Sequence, residues 1–342
     1  MDLSEFKSRM KTGNFSGWYI MSGEEDYLKK YYMNTLRTAT VTDEAFAAFN
    51  HTVFSGDDID FAAVAEAITA PPFMSDYKLI EWRFADIDGL KESEKKQLEA
   101  LFELKDGYPC AIFAIMTTAD GFDVGTPKRP SKSAVRFGAG FDILNFPKST
   151  DSQLLSWLKR HFDAEKVEVT LPVLNALLFR SGRSMEILNN EVIKLCSFAK
   201  ANGKNSVTKE DVEEIASSNT ESDAFALSNA VLDRNAERAF VALADLKGQR
   251  IEPPAVVSML ERVYSDLVSV SLLLDEGRGQ ADVESILKFV PYKAKLYINA
   301  AKKTGTEKLS ASLTELCRID ASSKSGGFSG YGVIEMFITK NL

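Results

Sequence analysis

The chain has 342 residues, more than a single hydrophobic core usually organises, so we expect two or three domains. Apolar residues make up 45% of it and charged residues 26%, values of an ordinary globular protein that exclude extensive disorder. Its formal net charge of −8 disfavours tight binding to bare duplex DNA, because phosphates repel an acidic surface. The sequence has no run of about 18 apolar residues and no apolar secretory-signal core at its start, which predicts a cytoplasmic protein without a membrane partner.

The cysteines and histidines indicate neither a metal site nor a catalytic triad. Cys110, Cys196 and Cys317 lie far apart in apolar sequence, which predicts reduced structural thiols. His51 and His161 are the only histidines, and neither is paired with another ligand at metal-binding spacing. We therefore expect no bound metal and no histidine-based chemistry.

Residues 1–147 alternate between strand-like and helix-like segments. The strand-like segments are 17–21, 48–54, 77–84, 110–118 and 141–146, and the helix-like segments are 25–37, 59–70 and 91–105. In helix 25–37 one stripe holds Tyr27, Tyr31 and Thr35, and Leu28, Tyr32 and Leu36 lie beside it. Strands that alternate with helices predict a parallel sheet with helices on both faces. The nearly continuous apolar run at 110–118 is typical of a strand buried on both sides.

The rest of the chain shows only helical periods, so the expected fold class is α/β followed by all-α. Thr208 with Asp211 three residues later comes close to a capping box and predicts a helix start. Residues 256–274 carry a wide apolar stripe at spacings of three and four. Such a stripe needs either the core of a helical bundle or a neighbouring subunit to cover it.

The segment "SGEEDYLKKYY" (22–32) stands where a phosphate-binding loop would, between a strand and a helix. When the motif G-x-x-x-x-G-K-[ST] is laid from Gly23, Lys29 matches its lysine, but Leu28 replaces the second glycine and Lys30 replaces the magnesium-binding hydroxyl. The carboxylates at 24–26 would repel a triphosphate. We expect a degenerate loop, a solvated helix N-terminus and no cofactor, with a divergent ATP site that uses Lys29 as the alternative.

Several segments gain meaning from their order along the chain. They are "GWYIMSGEEDYLKKYY" (17–32), "AITAPPFMSDYKLIEW" (67–82), "SGRSMEILNNEVIKL" (181–195) followed by "VTKEDVEEI" (207–215), and "AFALSNAVLDRNAERAFVALADLKGQRIEPP" (224–254). None is a catalytic signature, but together they resemble the δ subunit family of the bacterial DNA polymerase III clamp loader over essentially the full length. The resemblance implies an AAA+/RecA-like α/β domain at 1–147, a small helical lid domain at 148–217 and a helical collar domain at 218–342.

The resemblance also implies partners and a function. Members of the family assemble through the collar with the other loader subunits, delta-prime and tau/gamma, and they bind and open the beta sliding clamp during DNA replication. Related ATPases end a core strand with Asp-Glu, where strand 77–84 offers only Glu81, and they place a phosphate-sensing arginine where this chain has Met185. Arg183 lies two positions too early, and the Ser-Arg-Cys motif of sister subunits is absent. We therefore expect a non-catalytic subunit, with an active AAA+ NTPase or a helical scaffold as alternatives.

The segment "TAPPFMSD" (69–76) is the candidate binding site. The two prolines at 71 and 72 remove backbone donors and should stop the preceding helix at Ala70. In the family, apolar residues at this position insert into a hydrophobic pocket of the sliding clamp, and the matching residues here are Pro72, Phe73 and Met74. The alternative is that Phe73 and Met74 pack beneath the sheet.

Two basic stretches could contact primer–template DNA within a larger complex. Residues 125–138 and 288–308 are each rich in lysine and arginine, and the second also contains tyrosines. Such side chains contact phosphates without regard to base sequence. A solvated helix face balanced by acidic residues explains either stretch better, so we assign no DNA-binding residue.

Overall fold

The computed structural model describes residues 3–41, 44–56, 58–325 and 330–342. The chain divides into two compact units, and the division falls between Ser149 and Thr150. The predicted division into an α/β domain at 1–147, a lid at 148–217 and a collar at 218–342 stays a prediction. Among the described residues, no helix combines the length and apolar character needed to cross a membrane.

The first unit contains a five-stranded sheet whose paired strands all run parallel. Its strands, in the spatial order β2-β3-β4-β1-β7, are β1 (Trp18–Ser22), β2 (His51–Ser55), β3 (Lys78–Ala85), β4 (Ala111–Thr117) and β7 (Asp142–Asn145), and a separate hairpin joins β5 (Gly125–Thr126) to β6 (Arg129–Pro130). The helices are α1 (Leu3–Lys11), α2 (Asp26–Thr40), α3 (Ala47–Asn50), α4 (Phe61–Thr69), α5 (Glu92–Ala100) and α6 (Lys132–Phe137). Two 3-10 turns lie at Glu44–Phe46 and Leu101–Leu104.

Each face of the sheet contributes to its own hydrophobic core. One core joins the sheet to α1 and α2 through Phe6, Met33 and Leu36. The other joins it to α4, α5 and α6, where Val64 and Leu98 are fully buried. Every residue of β4 is buried, as its apolar sequence predicted. The predicted parallel sheet with helices on both faces is therefore confirmed.

The buried face of α2 includes Leu36 of the second predicted stripe but no residue of the first stripe, Tyr27, Tyr31 and Thr35. Its buried residues are Lys29, Met33, Leu36 and Thr40, whereas Tyr31 is 56% exposed. Leu28 and Tyr32 of the second stripe are partly buried against the same core. The burial of Lys29 was not predicted, because a hydrophobicity pattern assigns a core position to an apolar side chain.

In the second unit, the regular elements of the described residues are all helices, and an isolated bridge joins Glu168 to Ser206. Its helices are α7 (Asp151–Ala164), α8 (Leu171–Ser181), α9 (Met185–Ala201), α10 (Lys209–Ile215), α11 (Thr220–Leu232), α12 (Ala236–Gly248), α13 (Pro253–Asp275), α14 (Gln280–Leu287), α15 (Pro291–Thr304), α16 (Thr306–Lys324) and α17 (Tyr331–Asn341). The predicted capping box forms at the start of α10, where the Thr208 hydroxyl accepts from the Asp211 amide.

The long helix α13 is the centre of a helical bundle. Val256, Leu260, Val263, Leu267 and Val270 are buried along it, and α11, α15 and α16 pack around it. The apolar stripe at 256–274 is therefore covered by the chain's own helical bundle, which is the first of the two possibilities that the sequence left open.

Candidate functional site

The loop at 70–77, between α4 and β3, presents the predicted binding residues at the surface. Phe73 is 47% exposed and Met74 is 75% exposed, while Pro72 is half-buried. The alternative, in which Phe73 and Met74 pack beneath the sheet, does not describe this chain. Large apolar side chains at a surface mark contacts with other molecules when they lie together.

The start of this loop is fixed by the end of α4. The carboxylate of Asp60 caps the N-terminus of α4 by accepting from the amides of Ala62 and Ala63. The helix ends at Thr69, one residue before the position that the two prolines predicted. The buried ammonium group of Lys78 donates to the carbonyls of Ala67 and Ala70, which satisfies acceptors that the helix end leaves open. Its burial lowers the pKa of Lys78.

Asn50, the last residue of α3, holds the middle of the loop. Its side-chain amide donates to the carbonyl oxygen of Phe73 over 2.7 Å, and its side-chain oxygen accepts from the amide of Phe73 over 2.8 Å. Asn50 is only 2% exposed. One buried side chain therefore fixes both polar backbone groups of the residue that carries the exposed ring.

A third contact holds the far side of the loop. The hydroxyl of Ser75 donates to the carbonyl of Thr40 at the end of α2, over 2.9 Å. Between these anchors Met74 adopts a left-handed conformation with φ of +51°, which turns the backbone and is uncommon for a residue with a side chain. The loop is thus attached to α2, α3 and α4, while the side chains of Phe73 and Met74 are exposed to solvent.

The ring of Phe73 belongs to a small aromatic cluster. Its centroid lies 5.3 Å from that of Phe46 and 5.1 Å from that of Phe49, within the range of favourable aromatic pairs. Phe49 is itself 62% exposed. The result is a continuous exposed apolar surface built from two chain segments, 46–49 and 73–74.

The region that resembles a phosphate-binding loop is closed against the end of β7. Gly23 has φ of +100°, and a Cβ there would lie 2.4 Å from the carbonyl oxygen of Phe146. The amide of Glu25 donates to that same oxygen over 2.9 Å, and Glu25 is buried. A working phosphate loop directs such amides at the ligand, whereas here Gly23 allows close approach to the protein's own backbone.

Lys29, at the position of the phosphate-binding lysine, is fully buried. Its ammonium group donates to the carbonyl of Thr117 over 2.8 Å and lies 2.9 Å from the carboxylate of Asp26. Leu28 is half-buried and Lys30 is exposed. The expectation of a solvated helix N-terminus is therefore wrong for Glu25 and Lys29, because both are folded into the end of the sheet.

Glu81, the only acid within β3, is buried in an ionic cluster. Its carboxylate lies 2.8 Å from Nε2 of His51 and accepts from Nε of Arg83 over 2.6 Å. Burial alone would raise the pKa of Glu81, but the hydrogen bonds from His51 and Arg83 outweigh it and lower that pKa. Asp86 follows the strand, and its carboxylate accepts from the amide of Gly89.

Sequence reasoning missed this cluster, because its residues are brought together by the register of the sheet. His51 pairs with Leu79 in the sheet, so His51 and Glu81 lie on the same face at neighbouring positions. Only the parallel register of β2 and β3 shows this, because the two residues are thirty positions apart. Among the described residues, moreover, no three histidine, cysteine, aspartate or glutamate side chains are grouped closely enough to hold a metal ion.

A cleft of about 270 Å³ lies between α2 and β3. Arg37 and Arg83 line it, but Arg37 pairs with Glu44 and Arg83 pairs with Glu81. Because both guanidinium groups already face a carboxylate, the cleft is poorly suited to a polyphosphate.

The other residues compared with ATPase groups also serve the fold. Met185 is buried at the start of α9, and Arg183 forms an ion pair with Asp151 over 2.9 Å. In the first basic stretch, Arg136 forms ion pairs with Glu92 and Glu99.

The second basic stretch likewise contributes to packing. Lys293 contacts the carboxylates of Glu221 and Asp266 at 2.7 and 3.1 Å, and Tyr297 is fully buried. Lys293 is thus paired with acidic side chains and Tyr297 belongs to the helical core, so neither residue lies on a solvated helix face.

Comparison with known proteins places these features in a family. The chain is 24% identical over 341 residues to DNA polymerase III subunit delta of Bacillus subtilis strain 168, a match that spans 97% of this chain and 95% of the relative. Its fold is similar to that of the solved Bacillus subtilis DNA clamp loader delta protein, with a TM-score of 0.58, 19% identity, and coverage of 99% of this chain and 98% of that one.

Two family models match separate parts of the chain and together cover more than half of it. "DNA polymerase III, delta subunit" matches residues 19–118, which include the turn at Gly23 and the loop at 70–77. "DNA polymerase III delta subunit, C-terminal domain" matches residues 221–341 in the helical unit. The resemblance drawn from the sequence is confirmed: the chain belongs to the DNA polymerase III delta subunit family.

Proposed function

We propose that this chain is the delta subunit of a bacterial clamp loader, which binds the beta sliding clamp and opens it for loading onto primed DNA. The observation that carries the proposal is the anchored loop at 70–77, where Phe73 and Met74 are exposed on a fixed backbone. Family membership supports it, because the relatives carry the names DNA polymerase III subunit delta and DNA clamp loader delta protein.

The free energy of such a contact would come mainly from the burial of a few apolar side chains. Because Phe73 and Met74 are already partly buried, burial of their remaining exposed surface contributes about 2–4 kcal/mol. Phe73 is already held by Asn50, so less conformational entropy is lost on binding than for a flexible loop. The loop would open the ring by binding an opened clamp interface better than the closed one, since only a difference in affinity shifts that equilibrium.

We further propose that the chain acts without hydrolysing ATP itself. Support comes from the closed turn at Gly23 and from Lys29, whose ammonium group already contacts Thr117 and Asp26. Such a subunit is not an enzyme on its own and needs no cofactor. Its effect on the clamp would depend on binding energy alone.

The other partners would be the remaining loader subunits, delta-prime and tau/gamma. Exposed apolar residues on the helical unit, among them Phe240, Val241 and Met336, are suited to such contacts in the proposed collar at 218–342. Primer–template DNA would be contacted only within the assembled complex. These partners would place the protein in the cytoplasm, at the replisome.

The test is a binding titration with the purified cognate sliding clamp. We expect the wild-type chain to bind and the double variant Phe73→Ala plus Met74→Ala to bind at least about a hundredfold more weakly, because two apolar anchors are lost. A matched control, Tyr31→Ala plus Val135→Ala, removes two other exposed apolar side chains from the same unit and should bind normally.

The two negative results have different meanings. If the wild-type chain fails to bind the clamp, the proposed function is wrong. If the wild type binds and the Phe73/Met74 variant binds equally well, the function stands but the assignment of the site to this loop is wrong.

A further inference from the structure

The contacts around the loop at 70–77 give a role to α3, which the sequence did not single out. The side chain of Asn50 donates one hydrogen bond to the backbone of Phe73, 23 positions away, and accepts another from it. The side chain of Asn50 is buried, so the loss of either bond would leave one of its polar atoms unpaired away from water. This geometry fixes the position of Phe73 and not merely the fold of α3.

Phe49 precedes Asn50 and lies on the solvent side of the same cluster. Its ring is tilted by 40° against that of Phe73 at a centroid separation of 5.1 Å, yet more than half of its surface is exposed. A partner that covers the ring of Phe73 therefore also reaches the ring of Phe49.

We propose that α3 forms the second half of the clamp-binding site, with Asn50 as the positioning residue for Phe73 and Phe49 as a direct contact. This inference rests on the proposed function, because its occupant is the apolar pocket of the sliding clamp. The binding surface then consists of Phe49, Phe73 and Met74, contributed by two chain segments and locked together by one asparagine.

The positioning role is tested by a double-mutant cycle in the full-length chain, with affinity for the purified clamp as the readout. Asn50→Ala should weaken binding about tenfold, which corresponds to about 1.4 kcal/mol and is typical of lost hydrogen bonds. In a chain that already carries Phe73→Ala, the same change should alter affinity less than about twofold, because Asn50 acts through Phe73. Equal losses in both backgrounds, or no loss in either, overturn this role.

A second measurement separates positioning from general stability. Asn50→Asp keeps the acceptor for the Phe73 amide and loses the donor to its carbonyl, so hydrogen exchange at that amide should rise less than in Asn50→Ala. The matched control is Asn219→Ala, which removes a side chain that also makes two backbone hydrogen bonds, with Phe179 and Ser222. This control should leave clamp affinity unchanged, and a loss equal to that of Asn50→Ala would overturn the proposal.

The contact role of Phe49 is tested by a surface substitution that leaves the buried asparagine in place. Phe49→Ala should weaken clamp binding about tenfold, as expected for an aromatic anchor of a small interface. Wild-type affinity in Phe49→Ala overturns the contact role, and it does so even if Asn50→Ala proves unable to fold. Normal clamp binding by the double variant Phe73→Ala plus Met74→Ala would instead show that the loop at 70–77 is not the binding site. The same titrations therefore distinguish a failure of this inference from a failure of the proposed site.

Discussion

Lys29 occupies the position of a phosphate-binding lysine, and its ammonium group is buried between the carbonyl of Thr117 and the carboxylate of Asp26. The sequence predicted that this lysine has no nucleotide to bind, but not that it would serve the core. That limit has a physical reason: a lysine reads as a surface residue unless the tertiary contacts that satisfy its charge are known. The same applies to Glu81, whose partner His51 is adjacent only through the register of the sheet.

Replacement of Lys29 should therefore cost stability. Lys29→Met keeps the apolar stem but leaves the Thr117 carbonyl unpaired, which should lower the free energy of unfolding by about 1–3 kcal/mol. Lys30→Met, at the exposed neighbouring position, is the control and should change it by less than about 0.5 kcal/mol. Urea denaturation measures both, and equal stability of Lys29→Met and wild type would contradict a structural role.

The cluster around Glu81 predicts a dependence of stability on pH. His51 and Arg83 lower the pKa of this carboxyl in the folded protein below its ordinary value of 4.5. The resulting stabilisation is present above pH 4.5 and is lost as the pH falls through the folded-state pKa, because the protonated acid no longer attracts its partners. The difference in unfolding free energy between wild type and Glu81→Gln should therefore shrink as the pH is lowered below that value. A difference that stays constant down to the acid transition would contradict this.

Among the elements, the connection from β1 to α2 is a turn in which a glycine allows close packing against another part of the backbone. Gly23 permits contact with the Phe146 carbonyl, and the Glu25 amide completes that contact. The sequence predicted the strand, the turn and the helix in the right order. It could not predict that the turn would lie on β7, because that contact joins residues more than a hundred positions apart.

Gly23→Ala should accordingly be strongly destabilising. The added Cβ would meet the backbone oxygen of Phe146, and the positive φ of Gly23 is unfavourable for alanine. We expect a loss of about 2–4 kcal/mol, measured as a lower melting temperature. Gly248→Ala is the matched control: nothing lies within 4 Å of its added Cβ, and in a helix alanine should be neutral or stabilising. A melting temperature of Gly23→Ala close to that of wild type would contradict the close contact.

At the scale of the whole molecule, the alternation of strands and helices predicted the parallel sheet, and the change to helical periods predicted the all-α remainder. The sequence also indicated the exposed loop at 70–77. It did not reveal α3 as part of that surface, because the contact between Asn50 and Phe73 depends on where two loops meet in the folded chain. Periodicity describes elements one at a time, whereas a binding surface is formed by their assembly.

We expect that ATP does not change the thermal stability of the whole chain. A ligand at a hundred times its dissociation constant stabilises a protein by about 2.7 kcal/mol, so an occupied ATP site would raise the melting temperature. We expect millimolar Mg-ATP to leave the melting temperature of the isolated chain unchanged and no phosphate to be released. A rise that is abolished by Lys29→Met would restore the alternative of a divergent ATP site.

The turn sealed by Gly23 against β7 has a consequence for timing. An ATP-driven protein changes conformation as the nucleotide is bound and hydrolysed, and its affinity for other proteins changes with that cycle. Under the proposed function, a chain whose corresponding turn is closed by its own backbone goes through no such cycle. We expect the proposed clamp-binding surface to be available at all times, so that neighbouring molecules that cover or uncover it determine when the clamp is bound.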